Sequence, residues 1–227
     1  MEIIYEDNHI IAVSKACGEI VQGDKTGDTP LSEQLKEWLK EKYQKPGNAF
    51  VGVTHRLDRP VSGAILFAKT SKALSRLNDM FRFGQVKKTY WAMVKNPPPQ
   101  EEGQLIHWIS RNELQNKSYS YDEERPHSKQ AVLSYKLIGR TDAYYLLEIH
   151  PQTGRHHQIR SQLAKIGCPI KGDLKYGAKR SNPDGGISLH AHSLEFVHPI
   201  SQTAVRIVAP LPPGYALGQK DAYEIDE

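Results

Sequence analysis

Two short apolar runs, Phe50-Val51-Gly52-Val53 and Ala64-Ile65-Leu66-Phe67-Ala68, flank ten residues that neither can absorb: Thr54-His55-Arg56-Leu57-Asp58-Arg59-Pro60-Val61-Ser62-Gly63. The runs have the length and content of strands, and Pro60 with Ser62-Gly63 supplies the turn between them. The chain is thereby committed to strand, loop, strand, with Asp58 held between Arg56 and Arg59 on a loop anchored at both ends. Such an aspartate is either a positioned carboxylate or one half of a surface ion pair at a turn. For an arbitrary Asp-Arg-Pro the ion pair is the commoner case.

The 227 residues, 38% of them hydrophobic, suit one globular domain of generous size or two half-domains that share a core. Cys17 and Cys168 form no Cys-x-x-Cys pair, so neither a disulfide framework nor a cysteine zinc site is available. The start, Met1 to Asp7, lacks the basic and apolar segments of a signal peptide, and no apolar run approaches membrane-spanning length. A soluble, cytoplasmic protein is expected. The formal charge of +4 is modest but unevenly spread. Phe81 to Lys95 holds four cations and no acid, and Arg155 to Arg180 holds seven cations against Asp173 alone. The segment 218–227 carries Lys220 against four acids. Two basic stretches of this kind suit a polyanion, although ordinary solvated faces would have the same composition.

Local signals lay out the elements. Ile3-Ile4-Tyr5 and Ile10 to Val13 predict a β-hairpin. Asp28-Thr29-Pro30 predicts an N-cap and first-turn proline for a helix with Leu31, Leu35, Trp38 and Leu39 on one face, stopped by Lys45-Pro46-Gly47. Thr70-Ser71 caps a second helix with the stripe Leu74, Leu77 and Phe81, ended by Gly84. Val86 to Lys95 is β-rich, with Lys88, Tyr90, Ala92 and Val94 on one face. Gln130 to Leu137 and Ala143 to Ile149 are expected to pair around Gly139 to Asp142, and the polar insertion Asn112 to Lys129 is expected to be a mobile loop. Thr153 is the expected N-cap of a third helix with the stripe Ile159, Leu163 and Ile166. Its first turn would present Arg155, His156, His157 and backbone amides as a place for phosphate. Adjacent histidines on a helix point about 100° apart, so His156-His157 is a poor metal pair. His190 and His192 share a strand face, but no Asp, Glu or Cys at ligand spacing completes a site.

His55-Arg56-Leu57-Asp58 followed by Ser62-Gly63 and an apolar strand resembles the active-site signature of the RluA-type RNA pseudouridine synthases. Arg59-Pro60-Val61 stands where many relatives have other residues and a Thr before the Ser-Gly. Lys88-x-Tyr90-x-Ala92-x-Val94 and Thr153-Gly154-Arg155-x-His157-Gln158-Ile159-Arg160 match two further motifs of that family, and Lys171-Gly172-Asp173-x-x-Tyr176-Gly177 and Leu189 to Pro199 are similar to two others. The resemblance runs in order from residue 3 to 210. It implies an α+β pseudouridine synthase fold, a bent, mostly antiparallel mixed sheet flanked by helices with a central active-site cleft. It places the catalytic domain at 1–215 and an acidic, flexible tail at 216–227. The small RNA-binding module that precedes this domain in many relatives is not expected here.

The same resemblance implies that Asp58 is catalytic, as nucleophile or as base, and that Arg160 pairs with it. Tyr90 would stack on the target uracil, and Arg56 would fill the gap left by the flipped base. His55 and Arg155 complete the expected substrate contacts. Isomerising uridine needs a carboxylate, a stacking surface and exclusion of water, so no cofactor and no metal are expected. The expected partner is structured RNA, a ribosomal or transfer RNA, bound by a monomer with no role for a membrane. A catalytically silent RNA-binding protein would lose one of Asp58, Tyr90 or Arg160, and a glycoside hydrolase would need a second motif carboxylate. All three residues are present, and Asp58 is the one carboxylate in the three motifs that carry them.

Overall fold

Residues 1–24, 27–44 and 46–212 are described by the computed structural model. In chain order they form β1 (Glu2–Glu6), β2 (Ile10–Lys15), α1 (Leu31–Lys42), β3 (Gly52–Val53), β4 (Ser62–Ala68), α2 (Ser71–Arg82) and β5 (Lys87–Val94). Then follow β6 (Glu102–Asn112), β7 (Lys117–Tyr121), β8 (Lys129–Arg140), β9 (Tyr145–Pro151), α3 (Gln158–Lys165), β10 (Leu189–Val197) and β11 (Ala204–Val208). This is the expected α+β class, and every strand pair whose register is defined is antiparallel. The chain packs as two compact units. One comprises Met1–Lys88 and Ala191–Pro210, and the other is built on Thr89–His190.

In the first unit β2 pairs with both β1 and β4, β3 pairs with β4, and β10 neighbours β4 and carries β11. Every residue of β4 is buried. That explains a continuous apolar run where a half-exposed strand would alternate. Ala64, Leu66 and Ala68 pack in one cluster with Ala73 and Leu77 of α2. Ile65 and Phe67 point the opposite way and are equally buried, as are Leu31, Leu35 and Leu39 of α1. Each large side chain so enclosed contributes about 1.5–3 kcal/mol. Gly63 is obligatory: its φ is +119°, and a Cβ there would lie 2.3 Å from the Ala191 carbonyl oxygen.

α2 begins as expected, with the Thr70 hydroxyl accepting from the Ala73 amide at 3.2 Å. α1 does not. Pro30 occupies the cap position with no side-chain bond, and the Leu31 and Ser32 amides donate instead to the carbonyls of Ile20 and Val21. Asp28, the expected cap, pairs with Arg59 at 2.7 Å. Distant backbone thus supplies what a local cap would have. The strand expected over 50–53 is shortened to Gly52–Val53. Of the expected stop for α1, Lys45 lies outside the described residues, as does the acidic tail at 216–227.

The second unit is an antiparallel array in the order β5, β9, β8, β6, β7, with α3 against β6 and β7. β8 and β9 pair as expected, but β8 runs on through Gly139 and Arg140, so the turn falls at 141–144, where the Thr141 amide donates to the Tyr144 carbonyl. The insertion at 112–129 is not a loop throughout. β7 lies within it, pairs with β6, and turns Ser118 fully inward. Ser120 on the same side bonds Ser161 of α3 at 3.0 Å. α3 starts at Gln158, four residues later than a cap at Thr153 would set it. His157 adopts left-handed backbone (φ +51°), which breaks helical continuity there, and the Thr153 hydroxyl donates to the Gln158 side chain at 2.7 Å.

Candidate active site

In the first unit the loop between β3 and β4 is fastened mainly through its backbone. Val61 N–H donates to the Asp58 carbonyl at 3.0 Å, closing a turn with Asp58 at its head. Gly18 N–H donates to the Arg59 carbonyl at 2.9 Å. Beneath the turn lies Lys15, 1% exposed, whose ammonium donates to the carbonyls of Val61 (2.6 Å), Arg59 (3.0 Å) and Ala16 (3.0 Å). Burial pushes this lysine down to about 8, against the opposing pull of Glu19, Cys17 and Asp58. A buried cation aimed at the backbone of the Asp58 turn was not foreseen, since a lysine ending an apolar strand reads as solvent-facing. Asp58 itself is half-buried.

His55 is fixed from two sides. Its Nε2 accepts from the Leu66 amide at 3.0 Å, and its ring stacks on Phe81 at 4.4 Å between centroids. Burial, followed by the nearby Lys88 charge, drives its pKa down to about 3, so the ring is neutral at physiological pH. A neutral ring bonded in this way braces the loop against β4 and α2. The Thr54 hydroxyl adds a bond to the Leu66 carbonyl at 2.5 Å. Arg56, between them and Asp58, is exposed.

The remaining expected residues belong to the second unit. Tyr90 on β5 sits opposite Ile149 of β9. Ala92 and Val94, on the same face, are fully enclosed, whereas Tyr90 is only half-buried. The ring therefore stands where the face emerges from the core. Arg155, His156 and His157, expected in the first turn of the helix as an anion site, instead precede α3, which begins at Gln158. Arg155 is exposed, with its Nε donating to the Gln130 carbonyl at 2.9 Å. Arg160 is buried, and its Nε and Nη2 donate in parallel to the two oxygens of Asp173 at 2.7 and 2.9 Å. This bidentate pairing links two motifs that the sequence presents separately, thirteen residues apart.

Around that pair the unit is densely bonded. The Arg160 guanidinium carbon lies 5.0 Å from the centre of the Tyr176 ring. The Tyr176 oxygen accepts from Ser118 N–H at 2.8 Å and lies 2.9 Å from His157 Nδ1. Burial first, then the charges of Arg160 and its neighbours, hold His157 down at about 2. The ring is thus neutral and shares one hydrogen bond with the tyrosine oxygen. His156 stacks on His157 at 3.8 Å and shares a 2.8 Å bond with Ser118 Oγ. These bonds occupy one nitrogen of each histidine, and no group of three or more metal-binding side chains occurs among the described residues. The basic stretch 155–180 is also less uniform than its composition. Arg160 is neutralised by Asp173, and Lys165 pairs with Asp122 at 2.7 Å.

Comparison with known proteins bears on both units. A family model described as RNA pseudouridylate synthase matches residues 9–165. The tRNA pseudouridine synthase C of Vibrio vulnificus (strain CMCP6) is 30% identical over 227 residues, spanning 92% of this chain and 90% of that protein. The ribosomal large subunit pseudouridine synthase D of Xylella fastidiosa (strain Temecula1) is 33% identical over 229 residues, spanning 93% of this chain and 66% of that protein. Among solved structures, human RNA Pseudouridylate Synthase Domain Containing 4 superposes with a TM-score of 0.78 at 23% identity, over 94% of this chain and 90% of that one. The last similarity is one of fold.

Proposed function

The chain belongs to the RNA pseudouridylate synthase family, and on that premise we propose that Asp58 performs the isomerisation of uridine in a structured transfer or ribosomal RNA. The observation that carries this assignment is the Asp58 turn. A half-buried carboxylate heads a loop whose backbone is bonded by Lys15 and Gly18 and whose flank is held by His55 and Thr54. Such fastening suits a group that must meet a reacting carbon in one orientation.

The chemistry is an exchange of bonds. The bond from ribose C1′ to uracil N1 breaks, the base turns, and C1′ joins C5. C5 then loses its proton and N1 gains one, so nothing is oxidised or reduced. Asp58 acts on the ribose as nucleophile or as base, with Arg160 as the cation that keeps it ionised and oriented. Tyr90 stacks on the uracil. The target base leaves its helix to be reached, and exposed Arg56 takes its place in the stack. Arg155 binds phosphate, and His55 serves by shaping the loop. The relatives named for tRNA and for the ribosomal large subunit support both RNA classes. The enzyme works as a cytoplasmic monomer without metal or cofactor.

Asp58→Asn tests this directly, since it keeps the shape and removes the charge. Thermal unfolding and RNA affinity are expected to survive while single-turnover pseudouridine formation disappears. A folded variant that converts uridine near the parent rate would reduce Asp58 to a turn residue. Mapping new pseudouridines in total RNA from a strain lacking the enzyme would identify the target.

A further inference from the structure

Arg160 is held more completely than a counter-ion requires. Its Nε–Nη2 edge is taken by both oxygens of Asp173, and its face lies over Tyr176. Asp173 cannot follow a moving partner. Its amide donates to the Ile170 carbonyl, and its own carbonyl accepts from the amides of Tyr176 and Ala178, which fixes the single 3-10 turn Leu174–Tyr176. Before it, Gly172 has φ +86°, and a Cβ there would lie 2.8 Å from Asn182 and from the Gly186 carbonyl, so the backbone is wedged. Tyr176 is fixed in turn by Ser118 of β7 and by His157, whose left-handed backbone immediately precedes α3.

Three separate segments thus converge to set the plane and the rotation of one guanidinium. A buried ion pair is a weak device for stability, because desolvating two charges offsets most of their attraction. It is an effective one for aiming an arginine, whose rigid fork passes the orientation of one edge to the other. We infer that Asp173, with Tyr176 beneath the guanidinium, is a positioning residue that aims Arg160 at the reacting carboxylate. The inference rests on the assignment of Arg160 as the partner of Asp58.

Four variants test it: Arg160→Lys, Asp173→Asn, Asp173→Glu and the double variant Arg160→Lys/Asp173→Asn. Each is assayed for folding, RNA affinity and single-turnover rate. Asp173→Glu keeps the charge and moves the carboxylate by one methylene, so a role in charge alone leaves it active, whereas a role in aiming does not. A displacement on the order of 1 Å costs roughly a hundredfold in rate. Both Asp173 variants are therefore expected to lose about that much, with RNA affinity within about threefold of the parent. The double variant should be no slower than Arg160→Lys, since the two residues act as one unit. Parent-like turnover in either Asp173 variant, or a double variant slowed by the full product of the single losses, overturns the inference. Failure of both Asp173 variants to fold also counts against it, marking the pair as scaffold. Parent-like turnover in Arg160→Lys overturns instead the assignment of Arg160 on which the inference rests.

Discussion

Replacing Lys15 by methionine separates loop geometry from stability. Burial lowers this lysine from the ordinary 10.5 to about 8. At roughly 1.4 kcal/mol per pH unit, its charge is about 3 kcal/mol costlier in the folded chain than in the unfolded one. Lys15→Met removes that cost and nearly preserves the volume. Against the gain, the buried bond to the Val61 carbonyl is lost, and an orphaned buried acceptor costs roughly 1–3 kcal/mol. The Arg59 carbonyl keeps the Gly18 amide, and exposed Ala16 keeps water. The terms cancel to within about 2 kcal/mol, so the melting midpoint should stay within roughly 5 °C of the parent. Turnover should not survive as well, because the Asp58 turn loses its fastening from below. A fall of about tenfold to a hundredfold per folded molecule is expected. The sign with pH is also fixed. Between about 8 and 10.5 the unfolded chain holds a proton that the folded Lys15 has released, so the parent gains stability over the variant as pH rises through that window. Paired melts at pH 7.5 and 10 with single-turnover rates provide the assay. A midpoint lowered by 10 °C or more with unchanged turnover would show that the lysine serves the fold and not the orientation of the Asp58 turn.

Gly63→Ala forces a Cβ to 2.3 Å from the Ala191 carbonyl at φ +119° and is expected to cost more than about 3 kcal/mol, read as a large loss of soluble protein or of melting temperature. Burial would raise the Glu6 pKa, but bonds from Lys42, Lys69 and Tyr43 bring it to about 2. Its contribution is therefore present above the usual carboxylate range and lost as pH falls toward 2. Glu6→Gln should lower the melting temperature at pH 7 and flatten acid denaturation between about pH 4.5 and 2. RNA affinity should fall steeply with salt, and Arg155→Gln should reduce the slope of log affinity against log salt by about one, as measured by filter binding at several salt concentrations.

The sequence disclosed those elements whose signals are local. The β1–β2 hairpin, the Thr70 cap of α2 and the β8–β9 pairing all rest on neighbours within a few residues, and each stands where expected. What escaped depends on distant partners or unexpected chemistry. α1 is capped by carbonyls eleven residues upstream of the amides they bind, and Asp28 pairs with Arg59 instead. β7 turns serines inward, so its alternation lacked the apolar residues that mark a strand. α3 is delayed by a left-handed histidine that no helix signal announces. At the site, the motif residues were legible as types, but their supports were not. Lys15 reaches Val61 from forty-six residues away, and Asp173 meets Arg160 only through tertiary packing.

The fastening of the Asp58 turn is blind to side chains. Lys15 and Gly18 grip carbonyl oxygens at 59 and 61, which every amino acid supplies, while Arg59 points outward and Pro60 is only half-buried. Identity at positions 59 and 60 can therefore drift without moving the aspartate they adjoin. This makes the loop a natural place for an RNA-modifying enzyme to acquire a new substrate preference. A library randomised there should yield folded, active variants that differ in which uridine they choose.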